Sequence, residues 1–107
     1  MADPYVVVAT MIAKPGEEEL VEQTLTTAAA AVHAEPGCLM YALHRKTGTT
    51  GHFVMIEKWA SKEALRAHGR STAMREIGQA LGNALTGPAE ISVFDPLPAG
   101  DPELGAV

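Results

Sequence analysis

The stretch HFVMIEKWASKEALRAHG, residues 52–69, predicts a strand, a corner and a short helix in succession. Residues 52–59 are rich in β-branched and aromatic side chains, and alternate positions of a strand share one face. Glu57 and Trp59 therefore lie together on one face at the end of the strand. The chain's only Trp is followed nine residues later by His68, at the end of the predicted helix. We expect the imidazole to approach the indole across the gap between strand and helix.

The rest of the chain continues this alternation of strands and helices. Ser61 and Ser71 are suited to cap two successive helices, and Gly69 is suited to end the first of them. A turn at 47–51 predicts that the strand before it forms a hairpin with the strand at 52–59. The remaining predicted elements are strands at 6–13, 38–46 and 90–95 and a helix at 17–33. This β-α-β-β-α-β order, with the second helical region broken in two, predicts a ferredoxin-like α+β fold with a four-stranded antiparallel sheet.

Hydrophobic periodicity identifies the predicted core. The first strand is apolar and is predicted to be buried on both of its faces, and Val54 and Ile56 add an apolar row to the face opposite Trp59. Helices on one side of a sheet leave its other face open, so we expect a second subunit to cover that face in a homodimer. The other predicted core positions are Leu20, Val21, Leu25 and Val32 on the first helix, Leu39, Tyr41 and Leu43 on the second strand, and Met74, Ile77, Leu81 and Leu85 after Ser71.

Length and composition predict a single globular domain at 1–96, followed by a flexible C-terminal tail at 97–107 that is rich in Pro, Gly and Ala. The net charge is −5, and the eight Lys and Arg residues do not cluster, so nucleic acid is not an expected partner. We see no signal peptide and no apolar run long enough for a membrane span. The lone Cys38 cannot form an internal disulfide, which favours a cytoplasmic location.

Much of the sequence resembles the antibiotic biosynthesis monooxygenase (ABM) domain family. The most specific feature is Glu57-x-Trp59 followed by His68, and the second marker is Glu-Pro-Gly-Cys at 35–38. The resemblance extends from about residue 6 to 96 and implies the family's dimeric α+β barrel, in which the sheets of two subunits close on each other. The segments that carry it are EPGCLMYALHR at 35–45, FVMIEKWASKEALRAHGRSTAM at 53–74 and ISVFDP at 91–96.

The resemblance also implies an activity. Better-known family members oxygenate phenolic polycycles or quinols with dioxygen, and they need no metal, flavin or haem. The implied function is therefore that of a cofactor-independent monooxygenase, with a small aromatic molecule and dioxygen as substrates.

Two alternatives stay open, because one fold serves several chemistries. The first is a haem-binding or haem-degrading relative. Such relatives resemble this chain in the spacing from Trp59 to His68, which implies an axial haem ligand at His68. They also carry an Asn on the first strand, whereas the only Asn of this chain is Asn83. The second alternative is a non-catalytic dimeric protein that binds a small molecule.

The residue types around Trp59 fit cofactor-free oxygenation. Triplet dioxygen reacts slowly with closed-shell phenols, so an enzyme must help to form the electron-rich phenolate. Histidine is the commonest general base near neutral pH, and an aromatic-lined cavity supplies binding area and a low dielectric. We predict His68, Trp59 and Glu57 as the catalytic residues, with His68 and Trp59 as opposite walls of one pocket and the imidazole at its mouth. The predicted substrate-binding residues are Phe53, Met55, Tyr41 and Met74.

Each predicted catalytic residue also has a structural alternative. Trp59 can be a core anchor, and His68 can cap the end of its own helix. Glu57 can accept a hydrogen bond or pair with Arg66 or Arg75. The sequence alone leaves these roles open.

The other histidines do not indicate a metal site. His33 is predicted to cap a helix, and His44 and His52 are predicted to be exposed beside the hairpin turn. No two histidines have the i,i+2 or i,i+4 spacing that would form a zinc site within one element. The sequence therefore predicts no bound metal.

Overall fold

The structure, a computed structural model, describes residues 4–107 and forms one antiparallel sheet with helices packed on one face. The first three residues of the predicted domain lie outside this range. The strand order in the sheet is β2-β3-β1-β4, which confirms the predicted ferredoxin-like α+β fold. The elements are β1 (Tyr5–Ile12), α1 (Glu18–His33), β2 (Cys38–Arg45), β3 (His52–Trp59), α2 (Lys62–Gly69), α3 (Thr72–Leu81) and β4 (Glu90–Phe94).

The core lies between the sheet and the helices. Strand β3 has the predicted bounds, and its odd-numbered residues are all buried while its even-numbered residues are half-buried. The register aligns Val7 with Glu57 and Ala9 with Met55, so β1 adds its own buried row to the same face. This alternation fixes Glu57 and Trp59 on the inner face of the sheet.

The opposite face of the sheet has no covering layer in the single chain. Val6, Val8, Val54 and Ile56 are half-buried there, so the prediction that the first strand is buried on both faces is wrong for the single chain. The physical reason is that all the helices pack on the other side. Strand β4 is exposed along its whole length.

Both predicted serine caps are confirmed. The Ser61 hydroxyl accepts a hydrogen bond from the Ala64 backbone N–H at 3.1 Å, and Ser71 caps α3 through Met74 N–H at 3.2 Å. Each cap satisfies a backbone donor that the first turn of a helix leaves free.

Two predicted core positions are wrong, and a third, Leu85, is only partly buried against the core. Leu20 is 42% exposed, because α1 turns Val21, Leu25 and Val32 inward instead. Leu39 is 55% exposed, because a shift of register between Cys38 and Met40 moves it out of the row that contains Tyr41. Leu85 lies beyond the end of α3, where it forms an isolated bridge with Ala13.

The turn before β2 makes the closest backbone approach to α2. Gly37 has a φ of +80°, and a Cβ at this position would lie 2.5 Å from the Ala64 Cβ. The Gly37 carbonyl also accepts a hydrogen bond from Ala60 N–H at 2.8 Å. Glycine is required here both by the backbone conformation and by the contact, and it lets α2 lie directly against the turn.

The C-terminal segment contains a turn at 101–105, in which the Asp101 carboxylate accepts hydrogen bonds from the backbone of Glu103 and Leu104. Lys58 Nζ donates to the Val107 carbonyl at 2.7 Å. The division between domain and flexible tail stays a prediction. Within residues 4–107, no helix is both long and apolar enough to cross a membrane.

We predict that Gly37→Ala destabilises the fold more than Gly48→Ala does. Both glycines have positive φ, but a Cβ at Gly48 would meet nothing within 4 Å. The conformational strain is about 1–2 kcal/mol at either site, and overpacking against Ala64 adds about 1–3 kcal/mol at Gly37 alone. Urea denaturation gives the free energy of unfolding of each variant. Equal losses would show that the contact with α2 contributes nothing.

Candidate active site

Three of the predicted site residues meet in one buried cluster. Trp59 is 0% exposed, and Glu57 and His68 are each 5% exposed. The alternation of β3 turns the first two toward the helices, and α2 turns its only buried side chain, His68, toward the sheet. A buried imidazole next to a buried carboxylate is uncommon in a core and is typical of functional sites.

The imidazole of His68 stacks directly on the Trp59 indole. The ring centroids are 4.4 Å apart and the planes are inclined by 27°. The prediction that these residues form opposite walls of a pocket is therefore wrong, because no substrate ring fits between stacked rings. The predicted position of His68 at a pocket mouth is also wrong, since the side chain is buried under its own helix.

Glu57 is paired within the cluster. Its Oε1 accepts a hydrogen bond from Trp59 Nε1–H at 2.9 Å and lies 3.7 Å from His68 Nε2. The prediction that Glu57 accepts a hydrogen bond is confirmed. The alternative prediction, an ion pair of Glu57 with Arg66 or Arg75, is wrong. The guanidinium of Arg75 bonds to Thr72 Oγ1 at 3.4 Å instead.

Glu35 is the site residue that the sequence interpretation missed. Its Oε1 lies 2.9 Å from His68 Nδ1, and its Oε2 is buried without a hydrogen-bond partner. A carboxylate only accepts hydrogen bonds, so Nδ1 carries the hydrogen of this contact. The available signal was the Glu-Pro-Gly-Cys marker at 35–38, which carries the family resemblance but by itself assigns Glu35 no role in the site.

Tyr41 packs on the other side of the imidazole. Its ring meets His68 edge-on, with centroids 5.5 Å apart and planes at 67°. Burial raises the pKa of the Tyr41 phenol, and the nearby carboxylates of Glu57 and Glu35 raise it further. The predicted site residue Tyr41 therefore borders the cluster as an uncharged aromatic wall.

Burial also raises the pKa values of Glu57 and Cys38. It raises the pKa of Glu57, against the opposing effects of the Trp59 hydrogen bond and of His68. It raises the pKa of the Cys38 thiol, with a further contribution from the charge on Glu35. The cluster thus favours the neutral form of Glu57 more than water does.

The remaining predicted substrate contacts lie away from His68. Phe53 and Met55 are fully buried on β3, and Phe53 is about 20 Å along the strand from Trp59 at the usual rise per residue. The Arg45 guanidinium, which is paired with Glu22, lies 5.6 Å from the Phe53 ring centroid. Met74 is partly buried against the core. Roles of these residues in binding stay predictions.

Three open cavities on the surface lie away from the cluster. A groove of about 400 Å³ lies between α1 and α3 and is lined by small and apolar residues that include Thr24, Ala28 and Ile77. Two others lie at the hairpin turn and beside Arg45, and neither is lined by His68. Within residues 4–107, no three His, Cys, Asp or Glu side chains are arranged to hold a metal ion.

The model of the family described as "Antibiotic biosynthesis monooxygenase" matches residues 4–80 of this chain. The chain belongs to this family.

Two relatives with solved structures agree with this family assignment. PA3566 from Pseudomonas aeruginosa has a TM-score of 0.83 and 32% identity, with 91% of this chain and 97% of that one covered. Rv0793 of Mycobacterium tuberculosis, provisionally named a monooxygenase, is 28% identical, with 91% of this chain and 95% of the relative covered. Its structure gives a TM-score of 0.83.

The uncharacterized protein sll1783 of Synechocystis is 27% identical over 92 residues, which are 86% of this chain. The match spans only 63% of the Synechocystis protein. Family membership and the name of the mycobacterial relative support a monooxygenase-type function on a small molecule.

The haem-degrading alternative requires His68 to offer a ring nitrogen to iron. In this member of the ABM family, Nδ1 is bound to Glu35, Nε2 faces Glu57, and one ring face is covered by Trp59. The chain's own side chains thus occupy the surroundings of the imidazole, and this arrangement does not favour haem ligation.

The raised pKa of Glu57 predicts a pH-dependent stability that Glu57→Gln removes. The folded state holds the proton more tightly than the unfolded chain, whose ordinary value is 4.5. The resulting stabilisation is complete below pH 4.5 and is lost as the pH rises through the folded-state pKa. The wild type should therefore lose free energy of unfolding relative to Glu57→Gln as the pH rises from 4.5 toward neutrality.

Urea denaturation at a series of pH values measures this difference. Glu63→Gln, which removes an exposed carboxylate from α2, controls for the general effect of losing one negative charge. A difference between wild type and Glu57→Gln that does not change with pH would contradict the prediction.

Proposed function

We propose that the protein is a cofactor-independent monooxygenase that oxidises a phenolic or quinol-type aromatic molecule with dioxygen. The observation that carries this proposal is the imidazole of His68, buried between two carboxylates and against Trp59 in an otherwise apolar core. A core that only packs has no need of three titratable groups in contact, because burying them is unfavourable. General acid–base chemistry in a water-poor site does need them.

The overall reaction balances without an external reductant. A phenol that bears hydrogen at its para carbon reacts with dioxygen to give a quinone and water, and a quinol gives a hydroxyquinone and water. The substrate supplies all the electrons, one oxygen atom enters the ring, and the other leaves as water. The protein therefore has to bind the substrate, move protons and exclude bulk water.

His68 acts as the general base in this proposal. Its ring accepts the phenol proton, and the resulting phenolate passes one electron to dioxygen, after which the radical pair combines at the ring carbon. The imidazolium then returns the proton to the peroxide, and the resulting hydroperoxide loses the hydrogen of the same ring carbon together with hydroxide, as water, which leaves a carbonyl. Trp59 and Tyr41 supply aromatic contacts to the ring of the substrate, while Glu57 stabilises the imidazolium.

Access to His68 requires movement, since the imidazole is buried. Helix α2 is one short element that carries His68 on its inner side and exposed residues on its outer side. Displacement of α2 from the sheet opens the cluster to a planar substrate, in the way that mobile elements close many active sites over their substrates.

We predict that purified protein, free of metal and haem, consumes oxygen with members of a panel of naphthalene- and anthracene-type quinols. His68→Ala should lower kcat by roughly 10²–10⁴-fold with the fold retained, because it removes the general base. An oxygen electrode measures the rate, and mass spectrometry after reaction under ¹⁸O₂ measures the atom incorporated.

His44→Ala is the matched control, because His44 is exposed on the opposite face of the sheet. Unchanged turnover in folded His68→Ala would remove His68 from the mechanism. Turnover that appears only after hemin is added would support the haem alternative, and saturable binding without oxygen uptake would support the non-catalytic one.

We also propose that the protein works as a homodimer in the cytoplasm. The half-buried row of Val6, Val8, Val54 and Ile56 supports a partner on the open face, since apolar faces of sheets are usually covered. The exposed Phe94 of β4, which pairs with Val6, extends this surface. A single cysteine without an internal partner fits a reducing compartment.

We predict that Val54→Asp shifts the protein toward the monomer, because it puts an unpaired charge in the subunit interface. Sedimentation velocity over a range of concentrations measures the association. Ala30→Asp adds the same charge on the exposed side of α1 and should leave association unchanged. A wild type that sediments as a monomer at micromolar concentration would overturn the dimer.

A further inference from the structure

Glu35 belongs to the turn between α1 and β2, yet its carboxylate points inward. The side chain of Glu35 is 16% exposed and that of His68 is 6% exposed, and their 2.9 Å contact joins elements far apart in sequence. The second oxygen of Glu35 is buried without a partner. A carboxylate that leaves one oxygen unsatisfied in the core is unfavourable on stability grounds alone, so its presence indicates a role in the site.

The turn holds this carboxylate in one place. Glu35 N–H donates to the Val32 carbonyl at 3.0 Å, and Cys38 N–H donates to the Glu35 carbonyl at 3.2 Å. The ring of Pro36 restricts the backbone between them. Gly37 then packs against Ala64, one helical turn before His68, so the turn and the imidazole are fixed relative to each other.

This geometry determines which nitrogen of His68 is basic. A neutral imidazole carries one N–H, and the hydrogen bond made by one nitrogen selects the tautomer. Glu35 accepts from Nδ1, so in the neutral ring Nε2 keeps its lone pair. Nε2 is 3.7 Å from Glu57 Oε1, which is too long for a hydrogen bond. Nε2 is therefore the nitrogen that is free to take a proton.

We propose that Glu35 is a positioning residue, which holds His68 in the Nδ1–H tautomer and thereby makes Nε2 the proton acceptor of the site. The consequence for turnover rests on the proposed function of His68 as the general base. The assignment of the tautomer does not rest on that function. The other groups that face the imidazole are Glu57 and Trp59 from β3 and Tyr41 from β2. The hydrogen-bond partner of Nδ1 is Glu35.

The tautomer can be measured directly. Nitrogen-15 NMR of the imidazoles, with His68 assigned through His68→Gln, distinguishes the two tautomers at a pH where the ring is neutral. We expect wild type to show Nδ1 protonated and Nε2 unprotonated. Observation of the Nε2–H tautomer in wild type would overturn the proposal, whether or not any substrate is known.

Two variants of Glu35 separate hydrogen bonding from packing. Glu35→Gln keeps an oxygen that accepts from Nδ1–H and should keep the tautomer, whereas Glu35→Leu removes the acceptor and should allow Nε2–H to form toward Glu57. Glu63→Leu removes an exposed carboxylate from α2 and should leave the tautomer unchanged. Retention of Nδ1–H in folded Glu35→Leu would overturn the proposal; if that variant does not fold, the wild-type and Glu35→Gln spectra decide.

Kinetics add a second measurement once a substrate is found. Glu35→Leu should lower kcat by roughly 10²–10⁴-fold, the range expected for loss of general-base catalysis, with KM nearly unchanged because Glu35 does not touch the substrate. Glu35→Gln should retain more activity than Glu35→Leu. Equal kcat in wild type and Glu35→Leu would remove Glu35 from the mechanism while leaving the proposed function intact.

Discussion

The packing of Gly37 against Ala64 is the contact on which the position of His68 depends. It brings α2 onto the turn that precedes β2, and that turn carries Glu35. A side chain at Gly37 would push the helix outward, and the imidazole would move with it. The two sequence markers of the family, which lie more than 20 residues apart, are thus one structural unit, because one supplies the space and the other supplies the helix that occupies it.

The need to pair buried charges explains the arrangement of Glu35, Glu57 and His68. An imidazole and two carboxylates in a core are unfavourable unless they pair, since few other polar groups are there to solvate them. Glu35 approaches one ring nitrogen and Glu57 the other, while the Trp59 N–H stabilises Glu57 from the side. Burial raises the pKa of Glu57, while the Trp59 hydrogen bond and His68 oppose that rise.

The sequence predicted the elements well because local rules decide them. Alternation predicted β3 with its bounds, and Ser61 and Ser71 marked both helix starts. The sequence also predicted that Glu57, Trp59 and His68 lie close together. The alternation of side chains along a strand and the length of the following helix are enough to place them. The prediction failed at Leu39, where a bulge shifts the register, and at Glu35, whose inward turn depends on tertiary packing. The sequence also did not predict that His68 stacks on Trp59, because this stacking depends on how closely α2 approaches the sheet.

The same close approach creates a requirement for function. An imidazole that is stacked, paired and buried is well oriented, but it is not accessible to an aromatic molecule. The contacts that orient the base are therefore those that must loosen when a substrate enters. Helix α2 is suited to this, because it is short and only one of its side chains, His68, is buried.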